Sequence, residues 1–516
     1  MLHKCMGGIY KMGQFIKLNP QSLKELRKIN PALTSYNVEF TEVTGGTFWK
    51  AYTPEQVAGT QDVPPPDLSQ GGNPLASMHQ WYDPIDTTNP RLIKLAKAIA
   101  PKLWVRVSGT WATKTYYDFE GKGEVPEGYQ NRLTKEQWIN LLNFVKAVDG
   151  RLLISVANCV GLHKAEEPWN PSQAEQIFAL SKEHGVPIEA VEFTNEPNMF
   201  AVTGFPPGYT AEHFRRDQDL FHKWVRENYP GIIVVGPCTC DPDAMRGEEN
   251  AGGATGISDA LGTSATTAEL MDGCTESLDV FSYHYYNGIS ERMKFMMPAM
   301  FTPASEATSE SYLGMAGVCA RAFIPYRDKY CPGGEMWVTE SGDAGAGGHT
   351  WASTYLEVQR ELNEFGEFAK TTNGVIFHNT LASSDYGYLK HGTFDPRPSY
   401  FAVLLWNQLM GDTVYDSGEA IREGAHVYAH SRADGKDGVA YLVINNSKTE
   451  ATTVELPKDA LRYTLNGNGN MRSPVMYLNG TPLSLGANDE LPVMEGAMQP
   501  AGTVEVAPGE CVFFVL

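Results

Sequence analysis

Short hydrophobic runs recur along the first three quarters of the chain, and each is followed by a longer amphipathic stretch. The runs are rich in β-branched and aromatic residues, which is typical of strands. Stretches between them, such as TKEQWINLLNFVKAV and PSQAEQIFALSKEHG, have apolar residues at helical spacing and turn residues at their ends. The eight predicted strands are 36–42, 103–107, 152–157, 191–196, 232–236, 278–286, 336–340 and 374–378. Eight alternations of strand and helix predict an α/β fold, a (β/α)8 barrel with inserted loops.

The pattern changes after residue 411. Short alternating segments (AHVYAHSR, GVAYLVINN, ATTVELP, CVFFVL) are separated by Gly, Asn and Pro turns, which predicts an antiparallel β-sandwich. We therefore expect three parts: an N-terminal extension at 1–33 that packs on the sandwich, the barrel at 34–411, and the sandwich at 412–516.

Two long loops follow predicted barrel strands, at 239–275 and 287–312. Loops after barrel strands lie on the catalytic face, where they shape a substrate cleft. The second loop carries RMKFMMPAMF, and we expect its methionines to pack that loop onto the barrel.

Composition excludes several classes of protein. The chain has no run of 18 apolar residues, which argues against a membrane span, and its net charge of −20 argues against a nucleic-acid partner. The eight irregularly spaced cysteines suit neither a disulfide framework nor a zinc site. The first residues lack a signal-peptide pattern, so we expect a cytoplasmic protein, or a secreted or periplasmic one if its natural N-terminus was replaced.

Two glutamates stand at the ends of predicted strands. Glu196, in AVEFTNEPNM, closes the fourth strand, and Glu340, in MWVTESGD, closes the seventh. Strand ends on opposite sides of a barrel can hold two carboxylates about 5 Å apart, the separation used by retaining glycosidases. One carboxylate would then attack the anomeric carbon while the other donates and later removes a proton. Asn195 fits as a donor to the sugar 2-hydroxyl.

These residues carry a family resemblance. The segments LAKAIAPKLWVRVSGTWATKTYYDF, TNEPN, SYHYYNG and NTLASSDYGYLKHGTFDPRPSYFAVLLWNQLMG occur in the order found in glycoside hydrolase family 79. The chain resembles this family of heparanases and β-glucuronidases over roughly residues 33 to 412. The resemblance implies a retaining mechanism with Glu196 as acid/base and Glu340 as nucleophile.

The resemblance also implies further contacts with the sugar. Tyr285 would donate a hydrogen bond to the nucleophile, and Asn379 stands where the family often has glutamine. Sugar hydroxyls would be bound by Glu42 and Thr110, and the sugar carboxylate by Tyr386, Gly387, Gly347 and Gly348. One departure affects the carboxylate site: after its nucleophile the family often has a tyrosine followed by consecutive glycines, and here Gly345 stands at the tyrosine position with Asp343 nearby.

The expected function is a retaining exo-β-glucuronidase acting on a carbohydrate, with or without a 4-O-methyl group on the sugar. The alternatives are a heparanase-like endo-hydrolase, a retaining β-glycosidase of a neutral sugar, and an inactive glycan-binding barrel. We expect no metal or organic cofactor, because His284 has no partners at metal-ligand spacing in the sequence.

Overall fold

The computed structural model describes residues 14–66, 74–240 and 265–516. Residues 241–264 of the predicted 239–275 loop lie outside the described residues, as does Cys5. The strands, numbered along the chain, are β1 (Gln14–Lys17), β2 (Lys24–Lys28), β3 (Thr34–Glu39), β4 (Gly46–Trp49), β5 (His79–Tyr82), β6 (Trp104–Ser108), β7 (Thr115–Asp118), β8 (Asn131–Thr134), β9 (Arg151–Ser155), β10 (Ile188–Glu192), β11 (Ile233–Cys240), β12 (Val280–Tyr286), β13 (Glu335–Gly342), β14 (Ile376–His378), β15 (Met410–Asp416), β16 (His426–Arg432), β17 (Val439–Ile444), β18 (Thr452–Leu456), β19 (Ala460–Asn466), β20 (Tyr477–Leu478), β21 (Thr481–Pro482), β22 (Ala497–Gln499), β23 (Gly502–Val506) and β24 (Cys511–Val515).

The α-helices of the described residues include the outer ring of the barrel. They are α1 (Phe40–Thr44), α2 (Pro54–Ala58), α3 (Pro90–Ala98), α4 (Lys135–Ala147), α5 (Ser172–Glu183), α6 (Phe200–Thr203), α7 (Ala211–Asn228), α8 (Thr267–Met271), α9 (Glu310–Leu313), α10 (Met315–Tyr330), α11 (Tyr355–Thr371) and α12 (Pro398–Leu409). None of the helices in the described part of the chain is long and apolar enough to cross a membrane.

Eight parallel strands close into a barrel in the order β3, β6, β9, β10, β11, β12, β13, β14 and back to β3. A helix follows each strand, from α3 after β3 to α12 after β14. The predicted (β/α)8 fold is confirmed. Strands buried on both faces are typical of such barrels, and all seven residues of β12 are buried.

Large apolar side chains fill the amino-terminal end of the barrel. The rings of Trp104 and Trp337 lie 5.1 Å apart, and Phe377 lies 5.8 Å beyond Trp337. Inward positions nearer the carboxyl ends are instead polar, including Arg106, Glu192 and His284. The polar side chains that point into the barrel, such as Arg106, Glu192 and His284, therefore lie towards its carboxyl-terminal face.

The predicted second domain is an antiparallel sheet structure of two layers. One layer is a nine-stranded sheet and the other a three-stranded sheet. Their facing side chains form a core that includes Ile16, Val427, Tyr441 and Phe514. Both layers take in a strand from the beginning of the chain, since β2 pairs with β15 and β1 pairs, in parallel, with β18.

Three predicted strands end earlier than expected, and for two of them, β3 and β10, this moves a candidate site residue out of the strand. β3 stops at Glu39 because the Glu39 and Glu42 side chains form a reciprocal capping box that starts α1. β10 stops at Glu192, so that Glu196 lies in the loop that follows. Helix capping and loop geometry, which strand propensity does not report, set both ends.

The Met-rich loop packs as expected. Met293 and Met297 are buried in a cluster with Met78 and Ile289. This cluster fixes the 287–301 segment against the loop that follows β13.

Candidate active site

Glu196 and Glu340 face each other at the carboxyl-terminal end of the barrel. A carboxylate oxygen of each, together with a ring nitrogen of His284, forms a group whose atoms all lie within 4.8 Å of one another. The Glu340 side chain is 6% exposed and that of Glu196 is 12% exposed. The short separation suits direct attack by one carboxylate, because an inverting enzyme needs about 6.5–9.5 Å for an intervening water.

Arg106 on β6 organises this group and is not among the residues predicted from the sequence. Its Nε donates to Glu192 at 2.9 Å, Nη1 to Glu340 at 3.0 Å and Nη2 to the Asn195 side-chain oxygen at 2.9 Å. The arginine is 1% exposed. A cation at an inward position of a predicted barrel strand, in LWVRV, was the signal that would have revealed it.

The environment of Glu340 favours its ionised form. Burial alone would raise its pKa, but the charge of the nearby Arg106 and the hydrogen bonds from Tyr286 and Arg106 lower the pKa below its ordinary value. An ionised carboxylate at neutral pH is the state that a nucleophile requires.

His284 connects the two glutamates. Its Nε2 lies 3.3 Å from Nη2 of Arg106, and because a guanidinium only donates, this nitrogen accepts. The ring proton is therefore on Nδ1, which lies 3.0 Å from Oε1 of Glu196. His284 thus donates to the proposed acid/base.

The backbone of Glu196 is held in an unusual conformation. Its φ is +45°, a left-handed value that non-glycine residues seldom adopt. Its carbonyl accepts hydrogen bonds from the Met199 amide and the Thr203 hydroxyl, both at 3.0 Å. These contacts fix the turn, and strain of this kind is typical of functional positions.

The tyrosine that contacts Glu340 is Tyr286, not Tyr285 as predicted. The Tyr286 hydroxyl donates to Oε2 of Glu340 at 2.7 Å. Tyr285 is buried with the apolar side chains outside the barrel, and its hydroxyl has no partner among the described residues. Successive strand residues face opposite sides, so an assignment wrong by one residue moves the side chain out of the site.

We expect Tyr286→Phe to lower kcat/KM about 10- to 100-fold, because a charge-assisted hydrogen bond to Glu340, the predicted nucleophile, is lost. Tyr285→Phe is the matched control and should change kcat/KM by less than about twofold, since its hydroxyl touches no reacting group. Steady-state kinetics on an aryl glycoside would measure both. A larger loss in the Tyr285 variant would contradict the assignment.

Glu42 does not face the sugar site as predicted. Its carboxylate accepts from the amides of Glu39 at 2.7 Å and Ala382 at 2.9 Å, and burial raises its pKa to about 8. Glu39 is the acidic residue at the end of β3, and burial and the charge of Glu340 raise its pKa well above the ordinary value. A protonated Glu39 can donate as well as accept a hydrogen bond, whereas Glu42 fixes the 382 loop.

Thr110 follows β6, next to a glycine that lies against Glu39. Gly109, the residue before it, has a φ of +90°, and a Cβ there would collide with the Glu39 carboxylate at 1.6 Å. Only glycine permits this close approach. Asn195 keeps its predicted orientation, because Arg106 and Ser108 donate to its oxygen and leave its Nδ2 without a partner in the described part of the chain.

Asn379 joins the two tyrosines of the site. Its Nδ2 lies 2.9 Å from the Tyr286 hydroxyl and 3.1 Å from the Tyr386 hydroxyl, and both oxygens accept. The Asn37 amide donates to its side-chain oxygen at 3.3 Å. Tyr386 is thereby left with its own hydroxyl proton to donate.

The backbone amides predicted to bind the sugar carboxylate were those of Gly347, Gly348 and Gly387. The amides that have no acceptor among the described residues are a partly different set. The Gly348 amide donates to the Ala344 carbonyl at 3.1 Å and is not free. The amides of Ala346, Gly347 and Gly387 have no acceptor within residues 14–66, 74–240 and 265–516. The amides unpaired within these ranges thus include those of two predicted residues, Gly347 and Gly387, together with that of Ala346.

Gly345, which stands where the family often has a tyrosine, forms backbone contacts with the neighbouring 287–301 segment. Gly345 exchanges backbone hydrogen bonds with Gly288 at 3.0 Å and Ser290 at 3.1 Å. The Asp343 carboxylate is fully buried and accepts from the His349 amide at 2.7 Å. The Asp343 carboxylate is therefore held within the loop by a backbone hydrogen bond.

Glu196, His284 and Glu340 have the residue types and spacing of a metal site. They fit a cation poorly, because the Arg106 guanidinium lies 3.0 Å from Glu340 and 3.3 Å from the ring of His284. The His284 Nδ1 also carries the proton donated to Glu196, so it offers no lone pair. We keep the prediction that the reaction needs no metal.

No protein-family model matches the chain. Heparanase-like protein 1 of Arabidopsis thaliana is 24% identical over 487 residues, covering 84% of this chain and 85% of the relative. Hyaluronoglucuronidase of Hirudo nipponia is 24% identical over 480 residues, covering 84% and 90%. Baicalin-beta-D-glucuronidase of Scutellaria baicalensis is 28% identical over 320 residues, covering 59% and 55%.

Among solved structures, a 4-O-alpha-L-rhamnosyl-beta-D-glucuronidase from Fusarium oxysporum 12S superposes with a TM-score of 0.61. The alignment covers 97% of this chain and 100% of that chain at 11% identity. At this identity the likeness concerns the fold, which comprises the barrel and the sheet domain together.

Proposed function

Because this chain is a glycoside hydrolase that resembles the heparanases and β-glucuronidases of family 79, we propose that it is a retaining exo-β-glucuronidase. The observation that carries the proposal is the separation of at most 4.8 Å between carboxylate oxygens of Glu196 and Glu340. That separation suits a double displacement through a covalent glycosyl-enzyme.

In the first step Glu340 attacks the anomeric carbon while Glu196 protonates the leaving oxygen. Arg106 and Tyr286 hold the two oxygens of Glu340, so the ionised carboxylate is fixed for attack. In the second step Glu196 removes a proton from water, which attacks the same carbon from the face that the leaving group vacated. Two inversions return the β-configuration.

The same geometry supports recognition of a uronate. The amides of Ala346, Gly347 and Gly387 and the hydroxyl of Tyr386 are donors that no described group occupies. Four donors of this kind can surround a carboxylate without a full counter-charge. Glu39 and Thr110 are then the groups available to the sugar hydroxyls.

We expect an aryl β-D-glucuronide to exceed the matching β-D-glucoside in kcat/KM by at least about a hundredfold. A CH2OH group would leave several buried donors poorly paired, at about 1–3 kcal/mol each. Tyr386→Phe should narrow the ratio by lowering glucuronide turnover while glucoside turnover stays nearly constant. A wild-type preference for glucoside or xyloside would refute the glucuronidase assignment and leave the retaining mechanism standing.

Endo action is the second candidate, supported by the heparanase-like and hyaluronoglucuronidase relatives. The acidic chain, with a net charge of −20, is poorly suited to a densely sulfated polymer. Early digestion products of a glucuronic-acid-containing polysaccharide distinguish the two. Free glucuronic acid supports exo action, whereas a ladder of oligosaccharides supports endo action.

A further inference from the structure

A buried arginine lies behind the glycine-rich loop and takes no part in the chemistry described above. Arg292 follows β12, and its side chain is 4% exposed. Its Nη1 donates to the carbonyls of Ala346 at 3.2 Å and Gly348 at 3.0 Å. Its Nη2 donates to the Lys50 carbonyl at 2.6 Å and to Asp385 at 2.7 Å. One guanidinium thus joins three loops of the catalytic face.

Planarity of the peptide unit gives these contacts a consequence. The Ala346 carbonyl and the Gly347 amide belong to one trans peptide, so they point in opposite directions. Arg292 and the Ser290 hydroxyl, at 2.9 Å, both hold this carbonyl on one side. The Gly347 N–H must then point to the other side, where no described group accepts from it.

The backbone at this point would not keep that orientation without support. Ala346, Gly347 and Gly348 have consecutive φ values of +64°, +85° and +83°. A non-glycine residue in the left-handed region is strained, and neighbouring contacts must hold it there. Arg292 and Ser290 provide those contacts.

Asp385 neutralises the guanidinium, and the Tyr52 ring lies 3.6 Å from its central carbon. Arg292 therefore acts through orientation of the peptide rather than through net charge at the sugar. Asp385 also precedes Tyr386, so the same ion pair connects the glycine-rich loop to the loop of the predicted carboxylate-binding tyrosine.

We propose that Arg292 is a specificity-determining positioning residue, which aims the Gly347 amide at the substrate carboxylate and so selects uronates over neutral sugars. The inference rests on the proposed β-glucuronidase function and assigns its selectivity to a residue that does not touch the sugar.

The test compares kcat/KM for aryl β-D-glucuronide and aryl β-D-glucoside in wild type, Arg292→Met, Arg292→Lys and Ser290→Ala. Arg292→Met should lower the glucuronide-to-glucoside ratio about tenfold or more, with most of the loss on the glucuronide. Arg292→Lys should lower it less than Arg292→Met, because an ammonium can still donate to one of these carbonyls although it cannot span both. Ser290→Ala should change it in the same direction by about threefold.

Arg216→Met is the matched control. Arg216 also donates to two carbonyls, those of Ala165 and Glu167, but it lies on α7 away from the pocket. Its loss should lower the melting temperature and leave the substrate ratio unchanged. If Arg292→Met does not fold, Arg292→Lys and Ser290→Ala carry the test.

The outcomes separate the inference from the function on which it rests. A wild type that prefers glucuronide, together with folded Arg292 and Ser290 variants that lose both activities equally, overturns the role of Arg292 alone. A wild type without preference for glucuronide overturns both. A fall in the ratio confined to the Arg292 and Ser290 variants supports the inference.

Discussion

Replacing Glu340 by Gln should reduce turnover of an aryl glucuronide at least about 10⁴-fold, because an amide cannot attack the anomeric carbon. Glu196→Ala should also reduce turnover, but less with an activated leaving group that needs no protonation. The two variants should differ in chemical rescue by azide. Glu196→Ala should release a β-glycosyl azide, whereas Glu340→Ala should give the α product if it is rescued.

The matched control is Glu335→Gln, on the same strand as Glu340 but at the opposite end of the barrel. The Glu335 carboxylate accepts hydrogen bonds from Asn30 and Trp337, far from the catalytic face. Turnover of Glu335→Gln should therefore stay within about twofold of the wild-type value. NMR of the first wild-type product tests the mechanism directly. An inverted anomeric configuration in that product would exclude double displacement.

Replacing Arg106 by Met should cost about 3–5 kcal/mol of unfolding free energy at pH 7, because it leaves Glu192 and Glu340 buried without their cation. Activity should fall about 10²- to 10³-fold, since the nucleophile loses a preorganised donor. Chemical denaturation and steady-state kinetics measure the two losses separately.

The acid limb of the pH–rate profile should also move to higher pH in Arg106→Met. In wild type Arg106 helps to lower the pKa of Glu340 against the effect of burial, so its removal lets burial raise that pKa. A carboxylate with a lowered pKa stabilises the fold above its unfolded pKa of about 4.3, and this contribution is lost as the pH falls. The stability difference between wild type and variant should therefore narrow in acid.

Arg151→Met serves as the control for this effect. Arg151 pairs with Glu189 at the amino-terminal end of β9, where both side chains are more than a third exposed. A pair of this kind contributes about 0–1 kcal/mol. An acid limb that stays in place when Arg106 is removed would show that the guanidinium does not set the ionisation of Glu340.

The barrel and the two glutamates could be predicted because strand and helix alternate strongly and both glutamates follow apolar strands. The sequence could not show which side chains of β12 point into the barrel. In SYHYY aromatic residues occupy both faces of a strand that is buried on both sides, so hydrophobicity does not distinguish Tyr285 from Tyr286. Only the closed barrel shows which one faces the interior.

Other parts of the site depend on contacts that are distant in sequence. The arginine in LWVRV is a local signal, but its partners Glu192 and Glu340 lie 86 and 234 residues away, and no local pattern identifies them. Glu42 looked like the end of a strand, but a capping box placed it in a helix. The free amides of the 346–347 segment depend on backbone torsions that the run of small residues permits without specifying.

The pairing of β1 and β2 with the second domain has a consequence for how the chain is assembled. In topological terms the sandwich is a discontinuous domain, and the barrel is an insertion between its first two strands and the rest. Both early strands cover sheet edges, β1 beside β18 and β2 beside β15. Until the carboxyl-terminal strands are synthesised these two segments have no partners, and a fragment of residues 34–516 would leave two open edges prone to intermolecular pairing.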